Sequence, residues 1–227
     1  MSVFAISDLH LSLSTDKPMT VFKGWDNYVE RIRDNWCKIV KEDDTVIIPG
    51  DISWEMKISA CVKDFEFIHN LPGKKIILKG NHDLWWDSMK KMNEFLDSNG
   101  FDSIKILHNN FYAVENLAIC GSRGWFFDDD SKDQKILQRE VGRIETSVKL
   151  AVDSGLEPVL FLHYPPLTTN ELCNDIYDVI KKYPIKRCYY GHIHRAGSYK
   201  VFNGEKDGIL FRCVSCDLMD FTPLKIN

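Results

Sequence analysis

The sequence predicts an α/β fold arranged in layers, with two β-sheets inside and helices outside. Short runs of almost continuously apolar residues recur along the chain, as is typical of strands buried on both faces. Segments with the 3.6-residue period of amphipathic helices lie between these runs. Two further segments have the alternation and the turn residues of antiparallel hairpins. Since a purely parallel sheet contains no hairpins, the mixture favours two mixed sheets packed together.

Each predicted strand is followed by a polar turn. The predicted strands cover residues 3–7, 45–50, 75–80, 158–162 and 186–191. Helices are predicted at residues 25–40, 135–152 and near 58–70, 88–98 and 174–182. The first helix is expected to bury one apolar stripe made of Tyr28, Ile32, Trp36 and Ile39. The hairpins are predicted at residues 111–121 and 198–216, where Asn, Gly and Asp supply the turns.

The composition is that of a globular protein of modest size. The chain has 227 residues, of which 44% are hydrophobic and 27% charged, and no Gly- or Pro-rich linker divides it, so a single domain over residues 1–227 is predicted. It contains no apolar run long enough to cross a bilayer, and Met1 to Leu9 lack a basic leader, which predicts a cytoplasmic location. The net charge of -4 favours small substrates over tight nucleic-acid binding. The oligomeric state stays open.

The seven cysteines are odd in number and lie mostly within apolar segments, as reduced thiols of a protein core do. Cys213 and Cys216 have the spacing of a metal knuckle. Because no second pair accompanies them, we interpret residues 210–216 as a buried strand.

Five of the predicted strands end at Asp, Asn or His side chains. In chain order these ends are Asp8-Leu9-His10, Gly50-Asp51, Gly80-Asn81-His82-Asp83, His163 and Gly191-His192-Ile193-His194. Taken singly, each has an ordinary structural explanation as a turn cap, a polar loop or a hydrogen-bonded core imidazole. Ligands of open α/β folds collect at the carboxyl ends of strands, however, and five of the seven histidines lie in these turns. We therefore predict one site.

The donor types in these turns suit a pair of divalent cations. Two cations roughly 3.5 to 4 Å apart repel each other unless a carboxylate lies between them, and Asp51 suits that bridging position. Imidazoles bind borderline transition metals without adding charge, and the lack of cysteine argues against a structural zinc site. The glycines before Asp51, Asn81 and His192 are expected to let the backbone turn sharply.

The ordered motifs D-x-H, G-D, G-N-H-D, a lone H and G-H-x-H resemble those of the calcineurin-like metallophosphoesterases of bacterial type, and they span Asp8 to His194. The resemblance implies a four-layer αββα sandwich with two mixed sheets. It also implies two metal sites that share Asp51. The ligands of the first site would be Asp8, His10, Asp51 and His194, and those of the second would be Asp51, Asn81, His163 and His192. His82 would contact the phosphoryl group or assist the leaving group, and Asp83 would orient it.

The chemistry of the residues agrees with these roles. Water held between two cations is a nucleophile at neutral pH, so a metal-bridging hydroxide is expected to attack phosphorus without a covalent enzyme intermediate. His82 is suited to protonate the leaving oxygen if Asp83 holds its other ring nitrogen. The predicted function is hydrolysis of a small phosphomonoester or phosphodiester. The alternative is a non-catalytic scaffold with the same fold, but scaffold descendants are expected to lose ligands and none is missing here.

Departures from individual branches of the family narrow the prediction. The segment Gly50-Asp51-Ile52-Ser53-Trp54 lacks the Asp-Arg-Gly of phosphoprotein phosphatases, and Trp54 replaces the tyrosine ligand of purple acid phosphatases. With His10 also present, Mn²⁺ is the expected metal, and Fe, Zn and Ni are left open. No G-x-G-x-x-G loop occurs, which argues against a nucleotide-binding α/β protein. No G-x-S-x-G elbow occurs, which argues against a serine hydrolase.

Residues 121–130 offer candidate substrate contacts. Arg123 is a planar donor suited to phosphate, and Trp125 and Phe126 could stack on a base, so a nucleotide-like substrate is one hypothesis. The alternative is that Arg123 pairs with the acidic segment 128–133, itself expected to be a solvated loop, while the aromatic rings pack. The irregular stretch at residues 10–25 is expected to form a rim or lid.

Overall fold

The computed structural model describes residues 1–125 and 134–227. Within this part of the chain the first sheet has five strands in the order β11-β1-β2-β3-β4, and only β11 is antiparallel to its neighbour. The strands are β1 (Val3–Ala5), β2 (Thr45–Pro49), β3 (Lys74–Leu78), β4 (Ile104–Ile106) and β11 (Leu224–Lys225). The parallel strands therefore send their carboxyl ends to the same end of the sheet.

The second sheet has six strands within the same described ranges, in the order β5-β6-β7-β8-β10-β9. Its four central strands are parallel, and an antiparallel strand closes each edge. The strands are β5 (Phe111–Val114), β6 (Leu117–Ser122), β7 (Glu157–Leu162), β8 (Arg187–Tyr190), β9 (Gly204–Lys206) and β10 (Ile209–Cys213). The prediction of two mixed sheets is confirmed.

Helices cover the outer face of each sheet. Residues of α1 (Tyr28–Ile39), α2 (Val62–Asn70) and α3 (Met89–Asn99) pack against the first sheet. Residues of α4 (Gln134–Asp153) and α5 (Asn174–Lys182) pack against the second. Short 3-10 turns occur at Met19–Val21, Ile58–Ala60, Arg195–Lys200 and Cys216–Met219. No helix among the described residues combines the length and the hydrophobicity needed to cross a membrane.

The alternation of side chains along the strands produces the layers. Phe4 of β1 packs in the cluster shared with α1 to α3, whereas Val3 and Ala5 lie in the central cluster between the sheets. Along β7, Leu160 contacts the α4 and α5 side while Phe161 faces the centre. Since successive side chains of a strand point to opposite faces, both faces of each sheet are buried. This confirms the four-layer αββα sandwich.

Three local predictions need correction. The buried stripe of α1 continues from Trp36 to Val40, and Ile39 is 38% exposed, because the stripe advances by four residues and the chain becomes extended at Val40. Only residues 204–213 of the segment predicted as a hairpin at 198–216 form one, and a 3-10 turn precedes it. The strands β4 and β11, of three and two residues, were not predicted.

The cysteines are free thiols, as predicted, and all but Cys37 are buried. The predicted buried strand ends at Cys213, and Cys216 begins the following 3-10 turn, where its thiol approaches the carbonyl oxygen of Asp8 at 3.0 Å. The acidic segment 128–133 and Phe126 lie outside the described residues.

Candidate metal centre

The predicted ligands converge where the carboxyl ends of the parallel strands of both sheets meet. The first sheet supplies the segments after β1, β2 and β3, and the second sheet supplies those after β7 and β8. The predicted ligands that follow these strands are Asp8, His10, Asp51, Asn81, His163, His192 and His194. The position of the site thus follows from the strand order.

Asp8, His10 and His194 form one group, in which the ligand atoms lie within 4.8 Å of one another. The Nε2 atoms of His10 and His194 are 3.1 Å apart, and the Nε2 atom of His194 lies 3.8 Å from Oδ1 of Asp8. Two nitrogens bound to one cation at about 2.1 Å would be separated by roughly 3 to 3.5 Å. The spacing of these two ring nitrogens therefore fits a shared cation.

Asp51, His163 and His192 form the second group. The amide oxygen of Asn81 lies 2.6 Å from Nε2 of His163 and 2.9 Å from Nδ1 of His192, so it points into this group. Nδ1 of His163 donates to the carbonyl oxygen of Pro49 at 2.9 Å, because a carbonyl can only accept. This bond leaves Nε2 as the free lone pair, the usual arrangement of a metal-binding histidine.

Asp51 lies between the two groups. Its Oδ2 atom is 3.7 Å from Nε2 of His10, and its Oδ1 atom is 3.5 Å from Nε2 of His163. The backbone N–H of His82 donates to Oδ1 at 2.8 Å and fixes the carboxylate plane. Each oxygen of Asp51 therefore faces a different group, as a bridging ligand requires.

The backbone of the site is strained. Asp8, His10, Asp51 and His192 all have left-handed φ values, between 46° and 70°. Residues other than glycine rarely adopt this backbone conformation. It costs of order 1–3 kcal/mol per residue and persists only where the surrounding structure enforces it. Such strain is typical of functional sites.

The prediction that the preceding glycines allow sharp turns is right for Gly50, whose φ is 88°, and wrong for Gly80 and Gly191. Gly80 and Gly191 instead leave space for atoms of the neighbouring loops. A Cβ atom at Gly80 would collide with the side chain and backbone nitrogen of Asp51, and one at Gly191 would collide with Asp8 and its neighbour Ser7. The loops of the centre therefore approach each other too closely for any side chain at these positions.

Asp83 holds the segment that carries Asp51. Its buried carboxylate accepts hydrogen bonds from the backbone N–H groups of Gly80, Asp51, Ile52 and Ser53 and from the indole of Trp85, at 2.7–3.3 Å. Burial raises its pKa to about 6 although these hydrogen bonds act to lower it. That Asp83 also orients His82 stays a prediction. The half-buried ring of His82 lies 4.5 Å from the ring of Trp54 and 5.6 Å from that of His10.

Burial disfavours charge on these candidate ligands. It lowers the pKa of His10 well below its ordinary value, that of His163 to about 4 and that of His192 to about 2, and positive charge on neighbouring histidines adds to this at His10 and His192. Burial and then the charge of Asp8 raise the pKa of Asp51. Neutral imidazoles and crowded carboxylates without a counter-charge fit a divalent cation, as does a donor set of oxygen and nitrogen.

A model of the calcineurin-like phosphoesterase family matches residues 1–196. The chain belongs to this family. As a calcineurin-like phosphoesterase it is a metal-dependent phosphoric ester hydrolase, and the resemblance seen in the sequence is confirmed. None of the curated proteins compared with it matches significantly.

Solved structures share the fold of this calcineurin-like phosphoesterase. A protein of unknown function from Aquifex aeolicus is 19% identical with a TM-score of 0.50, over 99% of this chain and 95% of that one. A phosphopantetheinyl hydrolase from Mycobacterium tuberculosis is 12% identical with a TM-score of 0.58, over 99% and 95%. A protein from Thermus thermophilus is 11% identical with a TM-score of 0.56, over 99% and 97%. At these sequence identities the similarity supports a shared fold and no more.

Sequence reasoning missed Asp217, which lies beyond the part of this calcineurin-like phosphoesterase that the family model matches. Its Oδ1 atom is 3.1 Å from Nδ1 of His194, and its Oδ2 atom accepts the backbone N–H of Arg195 at 2.8 Å. Burial acts to lower the pKa of His194, but the bond to Asp217 and the charge of Asp8 outweigh it and raise the pKa. No motif marks Asp217, so the sequence carried no signal for it.

Aromatic rings enclose the histidines of the site. Trp54 stacks on His10 at 4.8 Å, and Trp25 approaches His10 and His194 edge-on at 6.0 and 5.7 Å. Trp25 ends the stretch predicted to form a rim or lid, and its buried ring packs into the site wall. These rings limit the rotamers of the imidazoles.

The predicted substrate residues of the calcineurin-like phosphoesterase lie beside the second group. The carbonyl oxygen of Arg123 accepts the backbone N–H of His163 at 3.1 Å. The guanidinium of Arg123 lies 3.6 Å from the carboxylate of Glu140 in α4 and 4.9 Å from the ring centre of Trp125. Contact of Arg123 and Trp125 with substrate stays a prediction, and the alternative partner, the segment 128–133, lies outside the described residues.

Proposed function

We propose that this chain is a dinuclear phosphoesterase that hydrolyses small phosphomonoesters or phosphodiesters in the cytoplasm, acting as one domain over residues 1–227. The observation that carries the proposal is Asp51, whose two oxygens face two separate ligand groups at 3.7 and 3.5 Å. A mononuclear enzyme would have no use for a second convergent group. Mn²⁺ is our first choice of metal because the ligand set combines carboxylate, amide oxygen and imidazole without thiolate.

Asp8, His10 and His194 would hold one cation and Asn81, His163 and His192 the other, with Asp51 shared between them. When bound, the cations would lower the pKa of water and neutralise the charge of the phosphoryl group. The chain's own residues position them. The Pro49 carbonyl and Asp217 select the ring tautomers of His163 and His194, and Asp83 holds the backbone at Asp51.

His82 is the proposed proton donor to the leaving oxygen. Its ring borders His10, and the residue is partly exposed, which supports contact with a substrate. His82→Ala should lower kcat by about 10²- to 10⁴-fold, the usual contribution of a general acid, while metal content is retained. The matched control is His69→Ala, which changes a histidine on α2 that packs near Ser103. Full activity of the His82 variant with both metals bound would contradict this role.

The surroundings of the ligands favour a small substrate. A cavity of about 210 Å³ borders His192 and His194 and is also lined by Thr168, Tyr199 and Lys200. Tyr199 is 70% exposed, so its ring is available for stacking with a leaving group. A cavity of this volume encloses only part of a ligand, which supports a small phosphorylated compound, with nucleotides included in the class to be tested.

The deciding experiment combines elemental analysis of the purified protein with turnover of p-nitrophenyl phosphate and bis-p-nitrophenyl phosphate in the presence of Mn²⁺. We expect two metal ions per chain and a clear preference for one ester. Phosphopantetheinyl compounds belong in the substrate panel because one structural neighbour is a phosphopantetheinyl hydrolase. Asp51→Asn should lose both the paired metals and turnover. One metal per chain, or an Asp51→Asn variant with undiminished turnover, would disprove the dinuclear proposal.

A further inference from the structure

A second, smaller cavity of about 180 Å³ lies at the same end of the sandwich as the metal centre. Lys79, which follows β3, and Arg123, which follows β6, line it. Lys79 is two residues before Asn81, and the carbonyl of Arg123 accepts the N–H of His163. The cavity is therefore formed in part by the segment that presents Asn81 and by a residue bonded to the backbone of His163.

Among residues 1–125 and 134–227, positive charge is in excess in this cavity. Lys79, Arg123 and Arg143 all line it. The carboxylate that faces them is Glu140, which is 1% exposed and bonded to Arg143 at 2.6 Å and to the hydroxyl of Ser122 at 2.9 Å. Arg123 lies farther from Glu140, at 3.6 Å. Among the described residues, two buried carboxylates, Glu140 and the Asp83 that acts on Lys79, thus face three cations.

The remaining polar groups do not remove this excess. Asp87 also lines the cavity, but it pairs with Lys91 at 2.8 Å. The Nε atom of Arg123 is buried and has no hydrogen-bond partner among the described residues. Burial and then the positive charge of Arg143 lower the pKa of His108, another lining residue. An unpaired buried donor beside surplus cations is a site for an anion.

The size of the cavity limits what can bind. Pockets that enclose whole small-molecule ligands start at about 300 Å³, so this cavity accommodates a single charged group. We propose that it binds a second phosphate group of the substrate while the scissile phosphate lies at the metal centre. The preferred substrates are then small bisphosphates. This inference rests on the proposed function, because it deepens the specificity of that site.

Calorimetry with non-hydrolysable ligands tests the inference. The Mn²⁺-loaded protein is titrated with α,ω-alkane bisphosphonates of three to six carbons and with the matching alkyl monophosphonates, and the heats of the same ligands with Mn²⁺ alone are subtracted. At one linker length the bisphosphonate should bind about 10- to 100-fold more tightly than its monophosphonate, because charge-assisted hydrogen bonds are gained. Binding is measured without turnover.

Two variants and a control show whether the residues of this cavity cause the gain in bisphosphonate affinity. Lys79→Gln and Arg143→Gln should each reduce the ratio of the two affinities about tenfold or more. Lys79 forms no ion pair within 4 Å among the described residues, so its variant remains informative if the loss of Arg143 beside buried Glu140 impairs folding. Lys74→Gln makes the same charge change at the exposed opposite end of β3 and should leave the ratio unchanged.

The outcomes separate the two proposals. Monophosphonate binding without any gain for a bisphosphonate, or a gain that both variants retain, overturns the second phosphate site and leaves the proposed function intact. A protein that neither binds monophosphonates nor hydrolyses p-nitrophenyl phosphate contradicts the proposed function itself, and the inference fails with it.

Discussion

At the residue scale, the orientation of His194 depends on Asp217. The Asp217 carboxylate accepts a hydrogen bond from Nδ1 of His194 at 3.1 Å. Nε2 of His194 then points toward Nε2 of His10. The second carboxylate oxygen is held by the N–H of Arg195, so Asp217, which is 4% exposed, cannot easily turn away. Hydrogen bonds of this kind fix the tautomer of a ligand histidine and raise its basicity.

Asp217→Asn should weaken Mn²⁺ binding at the Asp8–His10–His194 group by about tenfold or more, because outer partners of ligand histidines contribute this much to metal affinity. The measurement is a Mn²⁺ titration followed by calorimetry. Asp220→Asn makes the same change at a 78% exposed aspartate three residues away and should have no effect. An unchanged affinity in the Asp217 variant would show that His194 needs no such partner.

The protonation of Asp51 should make metal binding depend on pH. Burial and the neighbouring charge of Asp8 raise its pKa in the metal-free protein, so it keeps a proton at a pH where an ordinary aspartate, with a pKa of about 3.9, has lost it. A cation must displace this proton. Affinity is therefore complete above the raised pKa and falls as the pH drops through it.

Mn²⁺ titrations from pH 8 down to pH 4 should show affinity declining at a pH above the normal range of aspartate. The imidazoles of His163 and His192, with pKa values lowered to about 4 and about 2, compete with cations only at lower pH, whereas His194, whose pKa is raised by Asp217 and Asp8, also takes up a proton within this range and adds to the decline. An affinity that stays constant down to pH 4 would contradict the raised pKa of Asp51.

At the element scale, the candidate metal centre depends on how closely the turns after β2 and β3 approach each other. Gly80, in the turn after β3, has no room for a Cβ atom because the Asp51 side chain and backbone nitrogen occupy the space. Gly142 in α4 has nothing within 4 Å of the corresponding position. The two glycines thus have opposite roles, one permitting contact and one only loosening a helix.

Gly80→Ala should destabilise the protein by about 1–3 kcal/mol, the usual effect of overpacking, and weaken metal binding by displacing Asp51. Gly142→Ala should stabilise it by about 0.5–1 kcal/mol, because alanine is the better helix residue. Urea unfolding measures both changes, and Mn²⁺ titration measures the first variant's binding. Equal stability of the two variants would disprove the close approach at Gly80.

At the scale of the whole molecule, each ligand group draws on both sheets. In the first group Asp8 and His10 follow β1 of the first sheet, and His194 follows β8 of the second. In the second group Asp51 follows β2, whereas His163 and His192 follow strands of the second sheet. A cation held by either group would therefore connect the two halves of the sandwich.

Bound cations should stabilise the folded chain as a whole. At a free Mn²⁺ concentration of 100 times the dissociation constant, binding at one site adds about 2.7 kcal/mol to the free energy of unfolding, provided the unfolded chain does not bind. Urea unfolding with Mn²⁺ and with EDTA measures the difference. Asp51→Asn should show a much smaller gain. An identical gain in that variant would mean that Mn²⁺ stabilises the protein elsewhere.

The sequence by itself determined the kind of fold and the candidate residues of the site. The apolar runs before Asp8, Asp51, Asn81 and His163 could be recognised locally, because both faces of each strand are buried and the polar motif follows at once. The same was true of α5, whose predicted bounds match those observed. Short strands such as β4 escaped prediction since three residues have no measurable period.

Only the tertiary structure decided which groups face one another. The bond from His194 to Asp217, the contact of Gly80 with Asp51 and the approach of Arg123 to Glu140 depend on the packing of separate elements. The first two join residues 23 and 29 positions apart. A local pattern records which side chains a segment offers, but the partner of each is set by strand order and by the distance between loops. The candidate metal ligands were visible in the chain because they stand in motifs, and the residues that hold them in place were not.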